Sequence, residues 1–243
     1  GYMSSLNKSM VLHLKMKALN LKNKYNLKSK DFILDIGSND GTFLNFFKKK
    51  KMKVAGIDPA KNLAKIANKK GIFTIPSFFN SQNVRTIKDK YKKKAKLILC
   101  FNTFAHAEKL RDIIININAL LDQKGIFVFE CQYLGDIYEK KILGTIFHEH
   151  MYHHSVTSLN NLFKNLNLNF YDMERVNIQK GSIVGYVTKD LKKNKTKRFI
   201  NILNQETFKK ITSPQKFKDL QNYINNQKKL AEKIIKRFDK KKI

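Results

Sequence analysis

The chain has 243 residues, 42% of them hydrophobic, and its 49 Lys and Arg against 19 Asp and Glu give a formal net charge of +30. Length and apolar content suffice for one large domain or two small ones. No apolar run is long enough to span a membrane, and Cys100 and Cys131 alone provide neither a disulfide framework nor a cysteine-rich zinc site.

A field this positive attracts anions, and three sources of it stay open. They are a coding bias toward Lys, Asn and Ile, steering of an anionic small substrate, and nucleic-acid binding. The opening Gly1-Tyr2-Met3-Ser4-Ser5 lacks the basic-then-apolar order of a signal peptide and reads as a processed or truncated start. With two reduced thiols expected, the setting is cytoplasmic.

In chain order, Ser9 to Asn26 places Met10, Val11, Leu14, Ala18 and Leu21 at helical spacing. Asp31 to Ile36 reads as a strand, Thr42 to Lys51 as a helix and Lys53 to Asp58 as a second strand. Asn62 to Lys70 is a helix closed by Gly71, and Ile72 to Ile75 is a short strand stopped by Pro76. Ser81 to Tyr91 forms a basic helix and Ala95 to Phe101 a fourth strand. A helix over Glu108 to Leu121, a turn at Asp122-Gln123-Lys124-Gly125 and a strand over Ile126 to Cys131 follow.

Beyond Ser158 a helix runs to Leu166, then strands cover Asn169 to Val176 and Ile183 to Thr188 around a turn at Gly181. Lys189 to Lys197 reads as a linker, and Phe199 to Lys210 and Pro214 to Phe238 as helices. The last of these is long and Lys-rich and suits a partner. Alternation of strands with helices predicts an α/β protein with a mainly parallel, Rossmann-like sheet. The expected divisions are an N-terminal helical segment over 1–30, a ligand-binding domain over 31–189 and a basic helical extension over 190–243.

The segment Asp35-Ile36-Gly37-Ser38-Asn39-Asp40-Gly41 joins a buried-looking strand to a helix start. A turn built on Gly37 and Gly41 lets a ligand lie against the backbone, beside the free N–H groups of the helix. It is neither the G-x-G-x-x-G dinucleotide fingerprint nor a phosphate loop. Asp35 and Asp40 beside it repel a pyrophosphate and suit a cationic or hydroxyl-rich ligand. S-adenosylmethionine fits, with a cationic amino group and sulfonium and two ribose hydroxyls. Asp58 ends the second strand 21 residues beyond Gly37, where Rossmann-like folds hold ribose hydroxyls. Ordinary strand-end acids are the plainer alternative for either residue alone.

Together with Gly56-Ile57-Asp58-Pro59-Ala60, this segment resembles the cofactor-binding stretches of class I methyltransferases. Three further segments resemble the nucleotide-sugar C-methyltransferases of deoxysugar biosynthesis. They are Phe101-Asn102-Thr103-Phe104-Ala105-His106, Gly144-Thr145-Ile146-Phe147-His148-Glu149-His150, and Tyr2-Met3-Ser4-Ser5. The resemblance implies a seven-stranded, mostly parallel methyltransferase sheet with helices on both faces, closed by a helix and a hairpin. It also implies S-adenosylmethionine as cofactor, S-adenosylhomocysteine as product and a nucleotide-sugar substrate. The charge keeps a nucleic-acid methyltransferase as an alternative, a non-catalytic S-adenosylmethionine-binding subunit is another, and no membrane partner is expected. That family carries a small zinc-binding domain before this core and a nucleotide-binding domain after it, and the chain is expected to lack both.

Two departures stand out. Phe147 occupies a position that the family gives to Tyr, and Lys180-Gly181-Ser182-Ile183-Val184 lacks the second Gly and the Arg of the family's Gly-Gly-Ser-x-Arg turn.

His148-Glu149-His150 and His153-His154 place four His and one Glu within seven residues. Metal ligation, a polar loop and acid–base chemistry are the three readings. The spacing is not that of a helical zinc motif, so no metal ligand is assigned. Carbon methylation needs a proton removed beside a carbonyl, and histidine titrates in the right range for that base.

By resemblance, His150 is the base and Glu149 its partner at the substrate, where it orients the ring or binds a sugar hydroxyl. His106, past the fourth strand, is set to hydrogen-bond the enolate oxygen; a polar helix cap is the plain alternative for His106. Tyr2, Phe147 and His148 are assigned to the substrate. Asp35, Gly37, Ser38, Asn39, Gly41, Asp58, Pro59 and Asn102 are assigned to the cofactor, and Phe78 or Phe79 to stacking on its adenine.

Overall fold

In the computed structural model, which describes residues 3–239, a single sheet of seven strands lies between two layers of helix. The elements are α1 (Lys8–Lys24), β1 (Phe32–Ile36), α2 (Thr42–Lys48), β2 (Lys53–Ile57), α3 (Lys61–Lys69), β3 (Thr74–Ile75), α4 (Ser81–Tyr91), β4 (Ala95–Phe101), α5 (Leu110–Leu120), β5 (Leu121–Gln132), α6 (Leu134–Lys140), α7 (Val156–Lys164), β6 (Asn169–Val176), β7 (Ser182–Thr188), α8 (Lys197–Phe208) and α9 (Pro214–Asp239).

Strand order is β3-β2-β1-β4-β5-β7-β6. Pairing is parallel from β3 through β5, and β7 runs antiparallel to both of its neighbours. The order reverses between β1 and β4, and the crevice beyond the strands' C-terminal ends at such a point is where ligands bind.

Alternation along the strands divides the core. Phe32, Leu34 and Ile36 of β1, with Ile98 and Cys100 of β4 and Phe127 and Phe129 of β5, face a core lined by α4, α5, α7 and α8. Ile33, Leu97, Leu99, Ile126 and Val128 face the opposite core, completed by Leu14, Ala18 and Leu21 of α1 and Phe43, Leu44 and Phe47 of α2. Period-two alternation sends successive side chains to opposite faces. The β1 strand is therefore buried throughout and carries an acid, Asp35, on the α1 side.

The N-terminal helix is thus part of the core. So is α8: Phe199 meets Phe170 edge-on at 4.7 Å. Glu206 of α8 accepts from the backbone N–H groups of Val156 and Thr157 at 2.7 and 2.8 Å, which caps the start of α7. Leu220 of α9 packs with Leu134, Ile137 and Tyr138 of α6, whereas Leu230, Ile234, Ile235 and Phe238 are exposed.

Three local expectations are corrected. The helix α6 is absent from the sequence reading; its seven residues are too few to show a helical period, and burial against α9 holds them. The turn at 122–125 is an excursion within β5, which pairs Leu121 with Ala95 and then skips to Ile126 opposite Leu97. Strand β3 is confined to Thr74–Ile75, and the side chain of Asn68 binds the backbone N–H and C=O of Thr74.

Both cysteines are free and buried, and burial raises their thiols above the ordinary range. Among the described residues no helix is long and apolar enough to cross a membrane.

Candidate active site

The turn after β1 is folded back onto β2: the backbone N–H groups of Gly37 and Ser38 donate to the Ile57 carbonyl at 2.8 and 3.1 Å. Gly37 adopts φ +77°, and a Cβ there would lie 2.1 Å from Thr103 Oγ1, so both conformation and contact require glycine.

Asp58 anchors the same turn. One carboxylate oxygen accepts from the Asn39 N–H at 2.7 Å and the other from the Ala60 N–H at 2.9 Å. Each oxygen keeps a lone pair for a further donor. The 21-residue spacing therefore reflects a real contact between the turn and the end of β2.

These residues line a cavity of about 1480 Å³, together with Asp35, Pro59, Phe78, Phe79, Asn102, His106, Phe147, His148, Glu149 and His150. A cavity this large takes a cofactor and a second molecule. The α5 face adds Lys109, Ile113 and Asn116, and the N-terminal segment adds Ser4, Asn7 and Met10. No sequence signal marked these, because a helix face shows its function only once its neighbours are fixed.

Two assignments move. Gly41 does not line the cavity; it starts α2 at φ +76° and faces α3, where a Cβ would meet Ile72 and Ala67 at 2.9 and 3.1 Å. Asp40, expected to set the charge of the turn, is buried and turned away. Its carboxylate takes the N–H and hydroxyl of Thr42 and the Lys70 ammonium. Burial opposes its charge, but hydrogen bonds from Ser5, Thr42 and Lys70 outweigh that and hold the carboxyl below its usual range. The two aromatic candidates also separate: Phe79 packs against the core, whereas Phe78 is exposed at the cavity wall. Tyr2 lies outside the described residues.

Asp35 is fully buried, and one of its oxygens, like the Ser38 hydroxyl, has no hydrogen-bond partner among the described residues. Burial, then the nearby Asp58 charge, raises its carboxyl to about 8. The unsatisfied Asp35 oxygen and Ser38 hydroxyl, near the Asp58 carboxylate, fit the cationic methionine end of S-adenosylmethionine.

An acid raised in the folded state keeps its proton longer than in the unfolded chain, so folding stability falls as pH climbs from 3.8 to about 8. Asp35→Asn is therefore expected to raise the thermal midpoint of the ligand-free chain by about 4 °C or more at pH 8.5, and by much less at pH 5.5. Differential scanning fluorimetry checks this, and an equal gain at both pH values would contradict it.

The histidines gather over the open end of β4. The rings of His106 and His150 lie 4.8 Å apart, those of His150 and His153 6.0 Å, and Phe147 packs on His150 at 4.1 Å. His106 Nδ1 is 2.9 Å from the Glu149 carbonyl and His150 Nδ1 is 2.7 Å from the Thr145 carbonyl. A carbonyl only accepts, so each Nδ1 carries the hydrogen and each neutral ring presents a bare Nε2.

Glu149 takes no part in orienting His150. Its side chain is exposed, and its nearest ionic partner is the exposed His148, at 3.9 Å. The orienting group is the Thr145 carbonyl, a backbone atom that no side-chain pattern announces. His106 makes no helix cap; its ring ties the 141–150 segment to the end of β4. Burial, then His150, lowers the His153 ring, and burial lowers His154 to about 4. Among the described residues no three His, Cys, Asp or Glu are grouped to hold a metal ion.

Strand order and a glycine turn tied to Asp58 at the end of β2 are those of a class I S-adenosylmethionine methyltransferase fold. Residues 12–172 match the family model for a methyltransferase domain, and the chain belongs to that family.

Among characterised relatives, the C-methyltransferase NovU of Streptomyces niveus is 32% identical over 183 residues, which is 75% of this chain and 43% of that protein. The chain thus spans less than half the length of this relative. The plantazolicin methyltransferase BpumL, solved with S-adenosylhomocysteine, superposes with TM-score 0.57 at 15% identity, covering 75% of this chain and 86% of that one. Magnesium protoporphyrin IX methyltransferase from Synechocystis, also solved with S-adenosylhomocysteine, gives 0.53 at 15%, covering 75% and 87%. At such identities the two structures share the fold.

Proposed function

We propose that this chain methylates a carbon beside the carbonyl of a keto nucleotide-sugar or similar activated ketone, with His150 as the base. The observation that carries the proposal is the His150 ring, held by its Nδ1–H on the Thr145 carbonyl with Nε2 left bare at the cavity. When bound, the cofactor supplies an electrophilic methyl group. Asp35 and Ser38 receive its cationic end, Asp58 its ribose hydroxyls, and Phe78 covers its adenine. His150 Nε2 would take the proton from the carbon next to the carbonyl, and that carbon would accept the methyl as its bond to sulfur breaks, which leaves S-adenosylhomocysteine.

His106 cannot donate from Nε2 while neutral, since its hydrogen sits on Nδ1. It stabilises the enolate oxygen once protonated, and the adjacent His150 ring makes it a natural recipient of a shared proton. Phe147 contributes an apolar wall rather than a hydroxyl.

The similarity to NovU supports carbon as the methylated atom. The charge of the cavity favours a substrate whose anionic part stays outside it. Asp35, Asp58, Glu108, Asp112 and Glu149 line it, and Lys109 is the one lining cation among the described residues. A diphosphate belongs on the basic exterior, with only the sugar inside. The same acids disfavour a nucleic-acid strand.

The test separates proton removal from methyl transfer. With S-adenosylhomocysteine bound, the protein is expected to exchange the hydrogen beside the ketone of a keto nucleotide-sugar for solvent deuterium, read by NMR. Methylation on oxygen, without any exchange, would refute the proposed base.

A further inference from the structure

One buried acid near the cavity has no part in the chemistry above. Glu130 pairs with Phe101 at the last paired position of β4 and β5 and is wholly inaccessible to solvent. Each of its carboxylate oxygens has its own partner. His13 of α1 reaches Oε2 through Nε2 at 2.7 Å, and Asn102 donates from Nδ2 to Oε1 at 3.3 Å. The backbone N–H of Asn102 also donates to the Glu130 carbonyl at 2.9 Å. Asn102 sits at φ +55°, a left-handed conformation that few residues other than Gly, Asn and Asp adopt readily. It lines the cavity between Phe101 and Thr103.

The consequence is directional. A carboxylate accepts and does not donate, so Glu130 draws the NH2 end of the Asn102 amide toward the core. The carbonyl oxygen is then the end left for the cavity. We infer that Glu130 is a positioning residue, which His13 holds in place and which turns the Asn102 carbonyl toward the positively charged methionine end of S-adenosylmethionine. This rests on that cofactor and is independent of the acceptor and of the His150 base.

Glu130→Gln tests it with little change of shape. The Gln amide can turn its own NH2 toward Asn102, reversing the Asn102 amide and presenting a donor to a cation. Calorimetry is expected to show S-adenosylmethionine affinity lowered about 10-fold or more. Affinity for methylthioadenosine, which keeps the nucleoside and lacks the charged end, is expected to hold within about twofold. His13→Leu is expected to weaken S-adenosylmethionine selectively, and His13→Gln, which retains a donor, to restore it.

Equal losses for both ligands in Glu130→Gln would mean simple structural support and overturn the inference. So would unchanged S-adenosylmethionine affinity, even where methylation is lost. Should Glu130→Gln fail to fold, Asn102→Gly keeps the backbone conformation and removes the amide. Its expected result is the same selective loss, and full S-adenosylmethionine affinity in that variant overturns the inference.

Discussion

His150→Ala is expected to lower methylation of a keto sugar by about 10²–10⁴-fold, the range that a positioned base contributes. Cofactor affinity is expected to stay near its original value, because the bond that holds His150 is to the Thr145 carbonyl and not to the Gly37 turn or Asp58. His150→Gln is the sharper variant. Its amide can still donate to the carbonyl and fill the space beside Phe147, yet it cannot take a proton. Loss of rate in both variants, with deuterium exchange lost in parallel, identifies the base. Retained exchange in His150→Gln would shift the assignment to His106, the neighbouring ring with the same tautomer.

Asp58→Ala is expected to weaken S-adenosylmethionine binding by about 10²-fold or more. Hydrogen bonds to a charged group are worth about 1.5–3 kcal/mol each, and two ribose hydroxyls are at stake. The loss has a second component, since the carboxylate also ties Asn39 and Ala60 through their backbone N–H groups. Asp58→Asn separates the two: its single carbonyl oxygen keeps one tie and loses the charge, and an intermediate affinity is expected. Calorimetry with S-adenosylmethionine reads both variants, and an unchanged dissociation constant in Asp58→Ala would remove the ribose assignment.

These two residues were legible in the sequence for different reasons. Asp58 follows from local order, since a strand, a glycine turn and a second strand fix where an acid 21 residues on must lie. Parallel pairing of β1 with β2 then brings it against the turn. His150 was legible only through its company, a run of His and Glu with a family likeness. The Thr145 carbonyl that holds it was not legible, because sequence shows neighbouring side chains and not which backbone carbonyl a ring will meet. The packing around Asp40 and Gly41 was similarly hidden. They sit in the right loop, but the start of α2 and the packing of α3 claim them before any ligand does.

By itself the sequence determined the alternation of strands and helices, the turn that needs Gly37, and an acid at the end of β2 that meets that turn. Each depends on short-range geometry: period-two and period-3.6 burial, a left-handed turn, the length of one strand–helix–strand unit. Only the tertiary structure decided the rest. It brought α1 against β5, so that His13 meets Glu130 across 117 positions of chain, and it set the His150 ring on the Thr145 carbonyl. It also gathered acids, not the abundant lysines, around the cavity. Such contacts depend on which face of each element the packed core leaves toward the others, and no local pattern in the chain encodes that choice.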